Sequence, residues 1–391
     1  MTAQSIPRIV IGAPKGRSGK TTVTMGLLAA LTNLGLTVQP FKKGPDYIDP
    51  SWMTAIAGRP CSNLDSVMMS NQTILDSFLE QSQQADISIV EGAMGLYDGL
   101  DLQGSGSTAQ IAKIIKAPVI LVLDCTRMTR SAAATVLGYQ HFDKEVNISG
   151  IILNKVGGAR HQRILREAIE TFCRVPVIGS IPKNNNLTIP DRHLGLIPAN
   201  ETDKFTKTVE AIGNVIAENV DLRRLLKIAS NNDSLPNYSF SKEANSYLKG
   251  QQGSKRVTIA VIRDQVFSFY YPENLRQLES EGAKLVFINS LVDTSLHQVD
   301  GLYIGGGFPE LFGAGLDANK ELRANILRAI YQGLPVYAEC GGLMYLGRKL
   351  IYKGQEFAMV GALPYDVVME EKPQGHGYTI MKVMEPNGFF D

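Results

Sequence analysis

The sequence has no excess of one charge, no long hydrophobic run and no paired cysteine motif. Its 39 Lys and Arg residues nearly balance 38 Asp and Glu residues, so no summed field attracts nucleic acid or an anionic membrane. The apolar stretch near the N-terminus is about five residues long, too short for a secretory signal or a membrane span. We therefore expect a cytoplasmic protein with small-molecule partners, and neither nucleic acid nor membrane among its ligands.

The four cysteines form no CxxC pair, which argues against a disulfide framework and a thiolate zinc site. The chain has 391 residues, of which 44% are hydrophobic and 20% are charged. This length and balance are typical of a soluble globular protein with two domains.

Strand-like and helix-like segments alternate along most of the sequence. In the first half, a helical stretch follows each of the strand-like runs RIVIGAP, DISIVEG, PVILVLD and ISGIILNKV, which predicts βαβ units and a parallel sheet. A stretch rich in Asn, Ser and Lys then interrupts the pattern, which resumes with RVTIAVI, KLVFINS, GLYIGGG and LPVYAEC. We predict two α/β domains, at residues 1–222 and 256–391, joined by a linker at 223–255.

A phosphate-binding loop follows the first predicted strand and precedes a helix. Glycines there let backbone amides face phosphate groups, Lys20 reaches the β and γ oxygens, and the Thr21 hydroxyl can ligate Mg²⁺. Pro14 replaces the first glycine of the standard motif, so the match is to the variant that begins with a lysine. The predicted ATP-binding residues are Lys15, Gly16, Ser18, Gly19, Lys20, Thr21 and Thr22. The alternative is a Gly-rich turn without a ligand.

Polar groups also follow other strands of the predicted sheet. Asp46 and Asp49 lie in KKGPDYIDP, and Glu91 and Asp98 lie in VEGAMGLYDG. Ligands bind at the carboxyl ends of parallel strands, where acidic groups can hold Mg²⁺ and offset the charge of ATP through the metal. A single Asp beside proline can instead cap a turn, but two such loops favour metal or substrate binding. Asn154 ends a strand where P-loop proteins commonly place a base-reading amide; a turn asparagine is the alternative.

A cysteine in the second half stands between a predicted strand and a helix. Cys340 precedes Gly341, and Gly306 and Gly307 follow the strand-like GLYI. This arrangement predicts a nucleophile elbow, in which the helix N-terminus lowers the thiol pKa and glycine N–H groups stabilise an oxyanion. The alternative is a small buried cysteine at a strand end. That is our interpretation of the remaining cysteines, Cys61, Cys125 and Cys173.

Several segments resemble the successive signatures of the cobyrinic acid a,c-diamide synthase family: GPDYIDP, GRPCSNLD, VEGAMGLYDG, RSAAATVLGY, GIILNKVGGARH and IPDRHLGLIPANE. FSFYYPENL, LYIGGGFPEL and YAECGGLMYLG are similar to the class I glutamine amidotransferase domain fused to that ligase. The resemblance implies an α/β P-loop ligase domain like dethiobiotin synthetase, followed by an α/β amidotransferase domain. In the implied reaction, ATP phosphorylates a tetrapyrrole acetate and ammonia then displaces phosphate.

The resemblance also implies roles for residues of the ligase domain. Asp46 and Asp98 would orient and activate the carboxylate, and Glu91 would join Thr21 around Mg²⁺. Tyr47 and Ile48 would face the substrate and influence which acetate reacts first. The family usually has His where this sequence has Met53, which puts the contact of that His in doubt.

In the amidotransferase domain, the resemblance implies that Cys340 attacks glutamine, forms a γ-glutamyl thioester and releases ammonia. The family places its histidine base downstream, in a segment similar to GHEFHYS that these residues do not contain, and His376 matches an earlier GHGY stretch. We therefore expect an amidotransferase domain truncated at its C-terminus, with its base missing.

Some alternatives stay open at this level. The substrate is cobyrinic acid, hydrogenobyrinic acid or nickel sirohydrochlorin, since all three present similar acetates. An ATPase switch of the ParA or MinD type also begins its phosphate loop with a lysine placed like Lys15. The second domain, the near-zero net charge and the lack of a basic amphipathic terminal helix count against that class. A homodimer is a hypothesis that no sequence feature supports.

Overall fold

The computed structural model describes residues 6–183, 191–192, 195–196, 205–235, 257–372, 374–375, 377–380, 382 and 384. These residues fall into two compact units. One lies within Met1–Gly253 plus Tyr270–Glu281, and the other within Ser254–Phe269 plus Gly282–Asp391.

Strands and helices alternate along the first unit, as the periodicity predicts. In chain order they are β1 (Arg8–Gly12), α1 (Lys20–Asn33), β2 (Val38–Lys43), α2 (Ile48–Ala57), β3 (Ser62–Leu64), α3 (Asn71–Gln81), β4 (Ile87–Glu91), α4 (Thr108–Ile114), β5 (Val119–Asp124), α5 (Ser131–Phe142), β6 (Ile148–Val156), α6 (Ala159–Cys173), β7 (Val177–Pro182), β8 (Asp191–Arg192), β9 (Gly195–Leu196), α7 (Phe205–Asn219) and α8 (Leu222–Ser230). Strands β1 to β7 form a parallel sheet in the order β3-β2-β4-β1-β5-β6-β7. The predicted α/β parallel-sheet fold is confirmed.

Helices cover both faces of this sheet. Residues of α3, α4, α5 and α6 form one apolar cluster with one face, and residues of α1 and α8 form another cluster with the opposite face. The central strand β1 alternates accordingly, since Val10 belongs to the first cluster while Ile9 and Ile11 belong to the second. A strand buried on both faces reads as a continuous apolar run, which explains why RIVIG shows no polar alternation.

Arg8 is a charged residue in the core of the first unit. Its guanidinium donates hydrogen bonds of 2.6 to 3.0 Å to the carbonyl oxygens of Ile6, Ile115, Lys116 and Asp233. Burial lowers the pKa of Arg8 to about 10, although the Asp233 carboxylate opposes the shift. Arg8 therefore connects β1 with the end of α4 and with the segment after α8.

Helix α8 occupies the start of the range predicted for the linker. Leu225 and Ala229 are buried against the sheet, so this part of the range belongs to the first unit. The interpretation of this range as a linker overlooked that Leu222, Leu225, Leu226 and Ala229 recur at the spacing of one helix face. Residues 236–256 lie outside the described part of the chain, and the predicted domain boundaries stay a prediction.

The second unit contains another parallel sheet. The elements from β10 onward are β10 (Thr258–Ile262), α9 (Pro272–Ser280), β11 (Lys284–Ile288), β12 (Gly301–Ile304), α10 (Gly313–Ala318), α11 (Lys320–Tyr331), β13 (Val336–Ala338), α12 (Gly341–Leu346), β14 (Lys349–Tyr352), β15 (Gln355–Ala358) and β16 (Asp366–Val368). The parallel sheet has the order β11-β10-β12-β13, and a smaller sheet has the order β15-β14-β16. Helix α9 belongs by its contacts to the first unit. None of the helices in the described ranges is long and apolar enough to cross a membrane.

Candidate active site

The predicted phosphate loop connects β1 to α1. Gly19 adopts a φ of 93°, in the left-handed region that favours glycine, and it immediately precedes Lys20, the first residue of α1. The Ser18 hydroxyl donates to the Lys15 carbonyl at 2.9 Å, which closes the loop upon itself. No side chain of the described residues caps the first amides of α1, so the helix N-terminus is open to an anion.

Asn154, at the end of β6, contacts this loop directly. Its Nδ2 donates to the Ser18 carbonyl at 2.9 Å, and its Oδ1 accepts from the Lys155 N–H at 2.9 Å. A Cβ atom at Gly19 would stand 2.2 Å from Asn154 Nδ2. A larger residue at position 19 would therefore clash with the Asn154 side chain. The structure therefore places Asn154 beside the phosphate loop, and its role toward a base stays a prediction.

Lys20 connects the phosphate loop with the loop after β4. Its Nζ donates to the Met94 carbonyl at 2.6 Å and lies 3.4 Å from the Lys15 carbonyl. Burial lowers the pKa of Lys20, and the Glu91 carboxylate opposes this shift. The hydrogen bonds of Lys20 to carbonyl oxygens leave its positive charge available to a phosphate group.

Thr21 and Glu91 meet at the centre of the site. The Thr21 hydroxyl donates to Glu91 Oε1 at 2.6 Å, and Lys42 Nζ lies 3.1 Å from the same oxygen. Glu91 Oε2 is buried without a hydrogen-bond partner among the described residues. Burial raises the pKa of Glu91 to about 7, although the Lys42 ammonium opposes the shift.

Lys42, at the end of β2, was quoted in a motif but given no role by the sequence analysis. Its ammonium lies 2.5 Å from Asp49 and 3.7 Å from Asp46, in addition to its contact with Glu91. Burial acts to lower the pKa of Lys42, but these three carboxylates together raise it well above its usual value. Its position after a predicted strand, four residues before Asp46, is the signal that could have identified it.

Asp46 lies two residues before α2, which begins at Ile48. Its Oδ1 accepts from the N–H groups of Ile48 and Asp49, at 2.8 and 3.2 Å. One carboxylate oxygen of Asp46 therefore caps the helix, as the alternative interpretation expected, and the other faces Lys42. Burial and the Asp49 charge raise the pKa of Asp46, whereas Lys42 and the two N–H groups lower it.

The other residues predicted for the ligase site lie beside these groups. Tyr47 is half-buried, and Ile48 is buried at the first position of α2. Asp98 is exposed, and its Oδ2 accepts from the Gly95 N–H at 2.8 Å in the loop that contains Met94. Its charge is close enough to Lys20 to raise the pKa of that lysine.

Met53 stands in the hydrophobic core below the site. It is fully buried on α2, and its Sδ lies 3.9 Å from the Cys61 Sγ. A sulfur contact thus lies at the position where the resemblance implies a histidine. Cys61, Cys125 and Cys173 are all buried, in agreement with a packing role. His193 and His376 lie outside the described residues.

Cys340 has the backbone conformation of a nucleophile elbow. Its φ of 49° and ψ of −115° place a non-glycine residue in a strained region between β13 and α12. The side chain is exposed, and the N–H groups of Gly341 and Gly307 donate toward its sulfur. A Cβ atom at Gly306 would stand 3.2 Å from the Cys340 Cβ, so the glycine turn and the elbow are in contact.

The expected lowering of the Cys340 pKa is not found. Partial burial raises the pKa of the Cys340 thiol, and the two glycine N–H groups only reduce this shift. The carboxylates of Glu339 and Glu310 add to the increase, because negative charge nearby disfavours a thiolate. The expectation from the helix N-terminus left out the burial of the thiol, which is the largest cause of the raised pKa, and the two acidic neighbours.

Two family models match this chain. The CobQ/CobB/MinD/ParA nucleotide binding domain matches residues 9–197, and the CobB/CobQ-like glutamine amidotransferase domain matches residues 258–389. The cobyrinate a,c-diamide synthase of Magnetococcus marinus is 47% identical over 375 residues, which cover 95% of this chain and 80% of that protein. The cobyrinate a,c-diamide synthase of Archaeoglobus fulgidus is 45% identical over 382 residues, which cover 97% and 82%. The chain belongs to the cobyrinate a,c-diamide synthase family.

This membership confirms the resemblance found in the sequence and the predicted class of enzyme. The family consists of glutamine-dependent amidating ligases of cobalamin biosynthesis, and this chain has both the nucleotide-binding part and the amidotransferase part. The nucleotide-binding model by itself also describes MinD and ParA proteins. The amidotransferase match and the relatives favour the ligase over an ATPase switch.

Proposed function

We propose that this chain amidates the a and c acetate carboxylates of a cobyrinic-acid-type tetrapyrrole, using ATP and glutamine. The observation that carries the proposal is the group formed by Lys20, Lys42 and Glu91 at one edge of the parallel sheet. Two buried ammonium groups beside a phosphate loop, one of them held by the carboxylates of Asp46, Asp49 and Glu91, suit a reaction that activates a carboxylate with ATP.

In the first half-reaction, an acetate oxygen attacks the γ-phosphorus of ATP, the bond to the β-γ bridging oxygen breaks, and ADP leaves. Lys20 would contact the transferred phosphoryl group, and Lys42 would offset the charge of the attacking carboxylate. Asp46 fixes the start of α2 and faces Lys42, so it would hold that ammonium in place. Ammonia then attacks the acyl carbon, and phosphate leaves.

Mg²⁺ fits the residues that the sequence predicts for it. Among the described residues, no group of three or more His, Cys, Asp or Glu side chains is arranged as a metal site. Thr21 and Glu91 instead offer a hydroxyl and a carboxylate whose Oε2 has no partner among those residues, and Mg²⁺ typically takes few protein ligands in addition to phosphates. Bound there, Mg²⁺ would neutralise charge on the ATP phosphates.

In the second unit, the Cys340 sulfur would attack the carboxamide carbon of glutamine. The N–H groups of Gly341 and Gly307, which are directed toward the Cys340 sulfur, would also stabilise the negative charge that develops on the carboxamide oxygen, with Gly306 in the same turn. The carbon-nitrogen bond then breaks, and the nitrogen takes the proton that the thiol gave up and leaves as ammonia. Water hydrolyses the thioester to glutamate and restores the thiol.

The identity of the tetrapyrrole needs a direct assay. Purified chain is incubated with ATP, Mg²⁺ and ammonium, and separately with cobyrinic acid, hydrogenobyrinic acid or nickel sirohydrochlorin. We expect two successive gains of one amide on cobyrinic acid, seen by mass spectrometry, with ADP formed in step. ATP hydrolysis that responds to DNA or lipid, but not to any of the three acids, would overturn the proposal.

Sedimentation of the same sample tests the hypothesis of a homodimer.

A further inference from the structure

Tyr47 and Tyr271 form a stacked aromatic pair in the first unit. Their ring centroids are 4.4 Å apart, and the ring planes differ by 30°. Tyr47 directly precedes α2, and Tyr271 directly precedes α9, whose first residue is Pro272. The stack therefore joins the N-terminal ends of two helices.

A second observation places α9 close to the ligase site. The charge of Glu273, in the first turn of α9, is close enough to raise the pKa of the buried Cys61 thiol. That thiol contacts Met53 of α2 and is also sensitive to Lys42 and Glu91. Two separate observations, the tyrosine pair and the charge of Glu273, therefore place α9 beside the ligase site.

The stack lies beside the groups that would activate the substrate. Tyr47 follows Asp46, whose Oδ1 caps the start of α2 and whose Oδ2 lies 3.7 Å from the Lys42 ammonium. Capping fixes the backbone next to Tyr47. The planar contact with Tyr271 restricts the Tyr47 ring, because offset-stacked rings have a preferred separation and tilt.

We propose that Tyr271 is a positioning residue that holds the Tyr47 ring and thereby selects which tetrapyrrole acetate reaches Lys42 and Asp46. The inference rests on the proposed function, since it concerns the acceptor of the same reaction. The competing acetates have the same chemistry and differ only in their place on the macrocycle. A rigid aromatic surface beside the reacting carboxylate discriminates by shape, whereas a charge cannot separate two acetates. Loss of the stacked contact is expected to change the ratio of the two monoamide isomers roughly fivefold.

The test compares Tyr271→Leu with Tyr271→Phe in the full chain, with cobyrinic acid, ATP, Mg²⁺ and ammonium. Ammonium as the nitrogen donor removes the glutamine reaction from the measurement. Chromatography at low conversion gives the ratio of the two monoamide isomers. We expect Tyr271→Phe to keep the wild-type ratio within about twofold, and Tyr271→Leu to shift it by roughly fivefold or more. KM for cobyrinic acid should rise in Tyr271→Leu, while KM for ATP stays unchanged.

A double substitution shows whether Tyr271 acts through Tyr47. If it does, Tyr47→Leu with Tyr271→Leu should give the isomer ratio of Tyr47→Leu alone. Tyr331→Leu, which changes an exposed tyrosine of the second unit, is the matched control and should behave as wild type. An unchanged isomer ratio in Tyr271→Leu, even with a lower rate or melting temperature, would reduce Tyr271 to a packing residue and overturn the inference. Failure of the wild type to amidate any of the three acids would instead overturn the proposed function.

Discussion

Thr21 and Glu91 lie 70 residues apart in the sequence, and the Thr21 hydroxyl donates a 2.6 Å hydrogen bond to Glu91 Oε1. The contact forms because Glu91 ends β4, the strand next to β1, and the phosphate loop that leads to Thr21 begins where β1 ends. Lys42 approaches the same carboxylate from β2, on the other side of β4. Three neighbouring strands thus deliver a hydroxyl, a carboxylate and an ammonium to one point.

The buried Glu91 carboxyl predicts how stability depends on pH without ligands. Its pKa is raised from 4.5 to about 7, so the folded chain holds this proton more tightly than the unfolded chain. Its contribution to stability is full below pH 4.5 and is lost as pH rises through about 7. We expect a loss of about 3 kcal/mol between pH 5 and pH 8, measured by urea unfolding.

Glu91→Gln is the control for this measurement, because glutamine has the same shape and does not titrate. The stability of the wild type relative to Glu91→Gln should fall as pH rises. A difference that stays constant or grows between pH 5 and pH 8 would show that the Glu91 pKa is not raised.

The ligase site predicts the behaviour of Lys20→Ala and Asp46→Asn. Every amidation passes through the acyl phosphate, so both variants should lose activity with glutamine and with ammonium alike. Removing a preorganised charge contact should cost about 3 kcal/mol in the barrier, or roughly a hundredfold in rate. Steady-state rates with each nitrogen donor test this, with Lys144→Ala as an exposed lysine control. A defect confined to glutamine would place the ligase site elsewhere.

The phosphate loop, the elbow and eight strands (β1, β4, β5, β6, β10, β11, β12 and β13) were predictable because each depends on neighbours in the sequence. Glycine spacing and apolar periodicity are local signals, and β6 was predicted at its observed bounds, Ile148–Val156. The identity of the fold followed from the alternation of such signals along the chain.

Features that depend on distant residues were not predictable in this way. The importance of Lys42 follows from its contacts with Asp46, Asp49 and Glu91, which only the folded structure shows. The sequence likewise gives no reason to pair Tyr271 with Tyr47, since 223 intervening residues separate them (271 − 47 − 1). The direction of the Cys340 pKa depends on a three-dimensional balance between burial, N–H groups and acidic side chains, which the motif does not contain.

The Arg8 hydrogen bonds predict a large effect on stability. Arg8→Met would remove the donors from four carbonyl oxygens, of Ile6, Ile115, Lys116 and Asp233. Buried acceptors that lose their partners are costly, so the free energy of unfolding should fall by about 3 kcal/mol or more. Urea unfolding measures it, and Arg160→Met, at an exposed position, should change stability by less than about 0.5 kcal/mol. Equal stabilities for the two variants would contradict a structural role for Arg8.

The glycine turn beside Cys340 predicts a defect limited to glutamine. A Cβ atom at Gly307 would stand 1.8 Å from the Val266 carbonyl oxygen, so Gly307→Ala must displace the turn that carries an N–H donor. In a form of the protein that also carries the histidine base expected downstream, loss of one such donor should lower the glutamine-dependent rate by about a hundredfold. The ammonium-dependent rate should stay near wild type. Gly301→Ala, whose Cβ would meet no atom closer than 3.8 Å, is the matched control. Equal rates with glutamine for the two variants would remove Gly307 from the oxyanion site.

Cys340→Ser tests the division of labour between the two units. A serine hydroxyl is a far weaker nucleophile than a thiolate, so formation of the γ-glutamyl thioester should stop and glutamine should no longer support amidation. Free ammonium bypasses that step, and the ammonium-dependent rate should stay within about twofold of wild type, because the cluster around Lys20 and Lys42 is untouched. The measurement is amide formation with each donor under identical ATP and Mg²⁺, in a form of the protein that also carries the downstream histidine segment that the resemblance implies. Cys173→Ser, at a buried cysteine of the first unit, controls for the loss of a thiol. Loss of both activities in Cys340→Ser, with Cys173→Ser unaffected, would show that the cysteine also serves the ligase reaction.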